Sequence, residues 1–138
     1  MAKVAFISGP IQGLEDKQHY RDKMRRILTK YGYEIIDPWQ REKIIYRAFE
    51  GSRVEISSPR DFIRRDLEDI DRCDVLVAYM PRLSAGTCME LFYAKLRGKR
   101  TITICRLKNP SPWIIEFSDV VVKNFREFER VLREGLLS

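Results

Sequence analysis

The sequence predicts a single α/β domain built on a parallel β-sheet, and three observations support this prediction. Short apolar segments alternate with longer charged segments along the whole chain, as they do in parallel α/β folds. The apolar run at residues 75–79 is typical of a central strand that helices cover on both faces. The chain has 138 residues, close to the usual size of one domain, so we expect one domain over residues 1–138.

The first part of the chain predicts a strand, a helix and a second strand. Residues 3–8 form an apolar strand that ends at the turn signal Gly9-Pro10. Residues 16–31 are rich in charge and carry apolar side chains at helical spacing, so they predict an amphipathic helix. Residues 34–36 follow as a short strand.

The middle of the chain begins with an ambiguous stretch at residues 39–57, which we expect to contribute to a ligand pocket. A clear helix start follows, because Ser58 precedes Pro59 at the first helical position. We expect this helix to continue to about Arg72 and to lead into the central strand at residues 75–79.

The last part of the chain predicts two more strands and two more helices. Residues 87–97 predict a helix, and residues 101–105 predict a strand rich in β-branched side chains. Residues 106–118 contain Pro110 and Pro112, which favour a loop. A short strand at residues 120–122 and a helix at residues 125–137 follow.

This order predicts a flavodoxin-like (Rossmann-like) sandwich, with helices on both faces of a five-stranded parallel sheet in the order 2-1-3-4-5. In such sheets, ligands bind at the carboxyl ends of the strands, where the winding direction switches. The switch lies between the first and third strands, so the loops at residues 9–13 and 81–86 are the candidate ligand-binding segments.

Composition excludes several classes of function. The single histidine, His19, rules out a two-histidine zinc site, and the three cysteines have no CxxC spacing. We therefore expect neither a metal nor a cofactor. One cysteine must stay unpaired within the chain, so we expect no disulfide framework and a cytoplasmic location. No apolar run is long enough to span a membrane.

The formal net charge is +6, from 26 Lys and Arg against 20 Asp and Glu. Most of the basic residues lie in predicted helices beside acids, as on solvated helix faces. No basic run is interleaved with aromatic side chains, so we do not expect nucleic-acid binding.

Four residues could carry chemistry: three that follow the loop at residues 81–86, and Asp66 in the middle of the helix predicted to begin at Pro59. Thr87 and Glu90 have the spacing of a helix-capping box, but a carboxylate at a helix N-terminus would also stay ionised and act as a nucleophile or base. Asp66 reads most simply as an exposed helical acid paired one turn away. Cys88 lies near a helix N-terminus, which lowers a thiol pKa, but a small packed side chain is the simpler interpretation.

The first loop, Ser-Gly-Pro-Ile-Gln-Gly, has two glycines that could bring its backbone close to an anionic ligand. It lacks the third glycine of a dinucleotide fingerprint and the lysine of a P-loop, and a tight strand-to-helix turn explains it equally well.

Several motifs, in order along most of the chain, resemble the nucleoside 2-deoxyribosyltransferase family. They are Gly-Pro-Ile at residues 9–11, Arg-Asp-Leu at residues 65–67, and the run at residues 70–78. The most specific is Ser-Ala-Gly-Thr-Cys-Met-Glu-Leu-Phe-Tyr-Ala at residues 84–94.

The resemblance implies that Glu90 is the catalytic nucleophile, and that Asp66 contacts the base and assists its departure. It implies cleavage of an N-glycosidic bond through a covalent glycosyl-enzyme, which a second base or water then releases. It also implies that the substrate is bound by Phe6, Ser8, Gly9, Pro10, Ile11, Gln12, Gly13, Ser84, Gly86 and Thr87.

Ser84 favours one branch of the family. The transferases have Asp six residues before the nucleophile, whereas the branch that hydrolyses 2′-deoxynucleoside 5′-monophosphates has Ser there. A hydroxyl at a helix N-terminus accepts a phosphate that a carboxylate would repel. The sequence departs from the family pattern at two positions. Phe6 stands where the family usually has a Tyr that orients the nucleophile, and Tyr93 could compensate for that missing hydroxyl. Gln12 stands where the hydrolases tend to have Arg.

The family also implies a homodimer or higher homo-oligomer, in which a neighbouring subunit completes the site with Asn109, Ser111 and Trp113. The main prediction is hydrolysis of 2′-deoxynucleoside 5′-monophosphates, with base exchange by a transferase as the alternative. The departures at Phe6 and Gln12 leave a third hypothesis, a non-catalytic module that binds or senses nucleotides.

Overall fold

The computed structural model describes residues 2–41 and 59–136. In chain order, its strands and helices are β1 (Val4–Ser8), α1 (Tyr20–Lys30), β2 (Glu34–Ile36), α2 (Pro59–Asp71), β3 (Val75–Met80), α3 (Ala85–Leu96), β4 (Arg100–Cys105), α4 (Pro112–Phe117), β5 (Val120–Val122) and α5 (Phe125–Arg133). The ambiguous stretch at residues 39–57 falls largely outside the described residues, as does Ser58.

The five strands form one parallel sheet in the order β2-β1-β3-β4-β5, which confirms the predicted fold. Strand β1 lies between β2 and β3, and its last residue, Ser8, pairs with Ala78. The chain winds from β1 toward β2 on one side and toward β3 on the other. The carboxyl ends of β1 and β3 are therefore the switch point where such sheets bind ligands.

Alternating side chains of the central strands form two cores. Ala5 and Ile7 of β1 point to the face that α1 and α5 cover, where they join Met24 and Phe128. Phe6 points to the opposite face, with buried side chains of α2 and α3 such as Ile70, Leu91 and Ala94. Both faces are buried, which explains why β3 is apolar at every position.

Helix α1 begins at Tyr20, four residues after the predicted start. The intervening chain forms turns, in which the Lys17 N–H donates to Leu14 O at 2.8 Å. The Gln18 side-chain amide donates to Pro10 O and Leu14 O, which holds this segment against the first loop. Side-chain bonds to loop carbonyls thus compete with the helix at these positions.

The prediction of a loop across residues 106–118 is wrong in its second half, because α4 occupies Pro112–Phe117. Ser111 caps this helix by accepting from the Trp113 N–H, and Pro112 stands in its first turn. This is the same Ser-Pro start signal that Ser58-Pro59 carries, so the sequence did contain the indication. Helix α5 ends at Arg133, earlier than the predicted residue 137.

Within the described part of the chain, no helix is long and apolar enough to cross a membrane. The same residues contain no group of three or more His, Cys, Asp or Glu side chains that could hold a metal ion. The three cysteines are free thiols.

Candidate active site

A cavity of about 410 Å³ opens at the carboxyl ends of β1 and β3, where the two loops meet. The predicted site residues on its wall are Gly9, Pro10, Ile11, Gln12, Asp66, Ser84, Gly86, Thr87 and Glu90. Asp66 of α2 and Glu90 of α3 are 24 positions apart in sequence, and both lie on the wall of this cavity. The predicted juxtaposition of loops 9–13 and 81–86 is therefore what the structure shows.

Glu90 lies in the second turn of α3, with its carboxyl at the cavity and its Oε1 accepting a hydrogen bond from the Ser8 hydroxyl at 2.7 Å. It is not a helix cap. The N-cap is Ser84, whose Oγ accepts from the Thr87 N–H at 3.3 Å. The capping-box interpretation of Thr87 and Glu90 is therefore wrong, because the helix begins two residues before Thr87.

The electrostatic environment of Glu90 also differs from the expectation. Burial raises the pKa of Glu90 to about 8, and the nearby charge of Asp66 raises it further, whereas the Ser8 hydrogen bond and Arg21 lower it. The sequence predicts a carboxylate kept ionised by the helix N-terminus, whereas burial in the folded chain favours the protonated form of Glu90. A carboxyl with this pKa exchanges a proton near neutral pH, as groups that act in catalysis do.

Asp66 is 6% exposed, so the interpretation as an exposed helical acid is wrong. Its carboxylate accepts from the Arg41 guanidinium at 3.1 Å, and the same nitrogen of Arg41 donates to Asp69 at 2.8 Å. Arg41 belongs to the segment after β2, so this partner is distant in sequence from α2. Arg41 fixes Asp66 at the cavity, where the carboxylate faces Glu90.

The two glycines of the first loop have structural reasons. A Cβ at Gly9 would lie 2.3 Å from the Tyr20 hydroxyl, so this close approach requires glycine. Gly13 has a φ of +82°, in the left-handed region that favours glycine. Its N–H donates to Glu15 Oε1 at 2.9 Å and is not directed at a ligand. Both glycines therefore shape the loop, which contributes Gly9, Pro10, Ile11 and Gln12 to the cavity wall.

Arg21 lies on the cavity wall and was not among the predicted site residues. It is 2% exposed and pairs with Asp37 at 2.8 Å. Its other donors reach Gln18 Oε1 at 2.7 Å, Gly9 O at 3.0 Å and Ile7 O at 3.3 Å. One buried guanidinium thus ties α1 and the segment after β2 to the first loop. A helical arginine among other charged residues carries no signal in the sequence that marks it as buried.

Three predicted substrate-binding residues do not form part of the cavity wall. Phe6 is fully buried in the core between the sheet and helices α2 and α3. Ser8 acts indirectly, because its hydroxyl donates to the Glu90 carboxyl. Gly13 lies in the turn that ends the first loop. Tyr93 cannot compensate for Phe6, because its hydroxyl donates to both Asp71 carboxylate oxygens at 3.0 Å. The residue that orients Glu90 is Ser8.

The cavity wall also contains Arg82, Leu83 and Ala85, which belong to the predicted ligand-binding loop at residues 81–86. Its other residues are Ile7, Arg21, Pro38, Ile63, Leu67 and Met89. The apolar members of this group give the cavity a surface that suits a planar, weakly polar ligand group. Cys88 lies outside the wall, and burial raises its thiol pKa, so the helix start does not activate it.

A second, apolar hollow of about 380 Å³ lies between α3 and α4. Ser111 and Trp113, two of the residues predicted to reach a neighbouring subunit's site, contribute to its wall, whereas Asn109 does not. Trp113 is 69% exposed and stacks on Phe117 with ring centroids 5.9 Å apart. Met89 belongs to the walls of both the cavity and the hollow, so the two are adjacent.

Solved structures with the same fold include two deoxyribosyltransferases and an N-glycosidase. A 2-deoxyribosyltransferase from Bacillus psychrosaccharolyticus is 17% identical, with a TM-score of 0.67 over 91% of this chain and 90% of its own. A CMP N-glycosidase from Clostridium botulinum is 20% identical, with a TM-score of 0.64 over 96% and 99%. A 2-deoxyribosyltransferase from Leishmania mexicana is 16% identical, with a TM-score of 0.68 over 95% and 97%.

No curated protein sequence matches the chain significantly. The sequence model of one family, described as nucleoside 2-deoxyribosyltransferase, matches residues 5–131, which include both loops and both acids of the cavity. This match confirms the resemblance and the prediction of an enzyme of the deoxyribosyltransferase or N-glycosidase class. The chain belongs to the nucleoside 2-deoxyribosyltransferase family.

Proposed function

We propose that the protein hydrolyses the N-glycosidic bond of 2′-deoxynucleoside 5′-monophosphates. The ionised Glu90 carboxylate attacks C1′ of the deoxyribose, and the electron pair of the breaking C–N bond leaves with the base, to which the Asp66 carboxyl transfers a proton. Water then attacks C1′ of the glycosyl-enzyme, gives a proton back to Asp66 and releases Glu90 as a carboxylate. The products are the free base and deoxyribose 5-phosphate.

The observation that carries this proposal is the pairing of Glu90 with Asp66 in one cavity. Ser8 orients the Glu90 carboxyl through a 2.7 Å hydrogen bond, and Arg41 holds the carboxylate of Asp66. Two carboxyl groups in one site are the arrangement that retaining glycosidases use, one as nucleophile and one as a proton-transfer group. Neither acid serves as a helix cap or as an exposed surface charge.

Ser84 supports a monophosphate as the substrate. It caps α3 and lies on the cavity wall beside Ala85 and Gly86 of the first helical turn. The N–H groups of a first turn lack intrahelical acceptors and attract anions. The Clostridium botulinum protein of the same fold is a CMP N-glycosidase, so a relative of this architecture acts on a nucleoside monophosphate.

A base-release assay across deoxynucleosides, ribonucleosides and their 5′-monophosphates tests the proposal. We expect free base from at least one 2′-deoxynucleoside 5′-monophosphate, at a kcat/KM well above that of the matching nucleoside. Tight binding of a monophosphate with no release of base would instead support a non-catalytic nucleotide-binding module.

Base exchange is the second candidate function, because two relatives of the same fold are deoxyribosyltransferases. Incubation of a deoxynucleoside or its monophosphate with a second free base separates the two functions. A new nucleoside or nucleotide indicates transfer, whereas free sugar or sugar phosphate indicates hydrolysis.

Replacement of Asp66 with asparagine is expected to lower base release by about 100-fold, since a positioned proton-transfer group contributes roughly 10² to 10⁴ in rate. The loss should be smaller for substrates whose nucleobase is a good leaving group, because such a nucleobase departs with less help from protonation. Asp61→Asn, on the exposed side of the same helix, is the matched control and should retain activity. An Asp66→Asn enzyme of normal rate would remove Asp66 from the mechanism.

We also propose that a second copy of the chain docks on the apolar hollow between α3 and α4. The exposed Trp113 and Met89 form an apolar surface there, and Met89 connects it to the cavity. A subunit seated on this surface would stand beside the substrate, as the family resemblance implies.

Trp113→Asp is expected to convert a dimer into a monomer in sedimentation velocity, because it places a charge in the apolar contact. Leu136→Asp is the control and should stay dimeric, because Leu136 is an exposed apolar residue that does not line the hollow. A wild-type protein that sediments as a monomer at high concentration would contradict the docking proposal.

A further inference from the structure

The site requires a positive charge for a 5′-phosphate, and its first loop does not supply one. Gln12, on the cavity wall, is neutral. A phosphate monoester carries nearly two negative charges at neutral pH and is bound most strongly by charge-assisted hydrogen bonds. Lys17, Arg21 and Arg82 are the cations in or beside the two loops.

Two of these three cations, Arg21 and Lys17, are poorly placed to bind a 5′-phosphate in the cavity. Arg21 is buried, and all three of its guanidinium nitrogens already donate to Gln18, Asp37 and backbone carbonyls. Its charge is compensated by Asp37. Lys17 is exposed and does not contribute to the cavity wall.

Arg82 meets the requirements that the other two do not. It follows β3 by two residues and lies on the cavity wall with Ser84 and Gln12. One of its terminal nitrogens donates to Gln12 O at 2.6 Å, so its side chain crosses from the second loop to the first. No carboxylate pairs with Arg82 among residues 2–41 and 59–136. A guanidinium has five N–H donors, so most of its donors remain available.

We infer that Arg82 is the specificity-determining residue that binds the 5′-phosphate, acting together with Ser84 at the start of α3. The inference rests on the proposed function and identifies the cation of that site. Arg82 supplies from the second loop the charge that Gln12 does not supply from the first. The Gln12 carbonyl holds the guanidinium at the mouth of the cavity, with its remaining donors free for phosphate oxygens.

A purely structural role is the competing explanation, since the bond to Gln12 O also joins the two loops. The two roles differ in their dependence on the substrate. A structural bridge supports every substrate equally, whereas a phosphate ligand affects only substrates that carry the phosphate.

The test compares Arg82→Gln and Arg82→Lys with wild type on a 2′-deoxynucleoside 5′-monophosphate and on the matching 2′-deoxynucleoside. We expect Arg82→Gln to lower kcat/KM for the monophosphate by about 10- to 100-fold, since a hydrogen bond between charged groups contributes roughly 1.5 to 3 kcal/mol. The value for the nucleoside should change less than twofold, and Arg82→Lys should retain an intermediate preference. Arg106→Gln is the matched control, because Arg106 is exposed, follows β4 and is not on the cavity wall.

Binding separates this inference from the proposed function. Calorimetry on Glu90→Gln protein, which needs no turnover, should show tighter binding of the monophosphate than of the nucleoside, and Arg82→Gln should remove that difference. If wild type releases no base but this pattern holds, the proposed reaction fails and the phosphate site stands. An equal loss for both substrates, an unchanged monophosphate preference, or a preference removed instead by Lys17→Gln would overturn the inference.

Discussion

Replacing Glu90 with glutamine is expected to reduce base release by about 10³-fold or more, because an amide cannot form the glycosyl ester that a carboxylate forms. Glutamine has the same shape, and its side-chain oxygen can still accept from the Ser8 hydroxyl. Substrate binding should therefore stay within a few-fold of wild type. Measuring base release and ligand affinity on the same protein separates loss of chemistry from loss of the site.

The pH dependence of wild type gives a second readout of the same group. The Glu90 pKa of about 8 means that most of the free enzyme carries a protonated Glu90 at pH 6. If the ionised carboxylate attacks, kcat/KM should rise about tenfold per pH unit below this pKa and level off above it. The residual activity of Glu90→Gln should lack this step. A flat wild-type profile between pH 6 and 8 would contradict the assignment.

Stability provides the folding control for this variant. The pKa of Glu90 is 4.5 in an unfolded chain and about 8 in the folded one. The group therefore opposes folding as pH rises above 4.5, and its effect is complete above about 8. Glu90→Gln should be more stable than wild type by roughly 2 kcal/mol at pH 8, less than the full pKa shift implies because water reaches the carboxyl through the cavity. The two proteins should be equally stable at pH 4, and Glu68→Gln, at an exposed acid of α2, should change neither property.

Replacing Arg21 with methionine is expected to lower the free energy of unfolding by about 3 kcal/mol, measured by urea denaturation. Methionine fills part of the space but leaves the buried Asp37 carboxylate with only Arg25 and the Trp39 N–H among its described partners. Removing one partner of a buried ion pair costs roughly 3 to 5 kcal/mol, because the other charge stays buried. The carbonyls of Ile7 and Gly9 also lose a donor.

Lys30→Met on the same helix is the control for Arg21. Lys30 pairs with Glu129 at 2.8 Å on the surface, where water already solvates both charges. We expect its unfolding curve to stay close to that of wild type. If Arg21→Met unfolds at the same urea concentration as wild type, the buried guanidinium does not stabilise the loop framework.

Helix α4, which was predicted to be part of a loop, had a local start signal in the sequence that the prediction did not use. Ser111-Pro112 begins a helix by the same rule that placed the start of α2, but two nearby prolines favoured a loop. The start of α1 shows the opposite case. Residues 16–19 have helical composition, yet Gln18 donates to loop carbonyls across a turn, and no periodicity in the sequence reports such a contact.

The sequence by itself determined the architecture and the two acids. Alternating apolar and amphipathic segments predict a parallel sheet with helices on both faces, because each helix must bury its apolar side against that sheet. The flavodoxin-like order expected for such a chain is the order that the structure shows, β2-β1-β3-β4-β5. The motif at residues 84–94 carried the resemblance to the family, and it places Glu90 in the second turn of the helix that Ser84 caps.

Only the tertiary structure decided what surrounds those acids. The Ser8 hydroxyl donates to the Glu90 carboxyl, and Arg21 forms an ion pair with Asp37. The Arg82 guanidinium donates to the Gln12 carbonyl in the opposite loop. Each of these contacts joins residues between 16 and 82 positions apart and depends on which strand ends meet. Burial, and with it the raised pKa of Glu90, is likewise a property of the packed molecule, because a carboxyl loses its water only when other segments surround it.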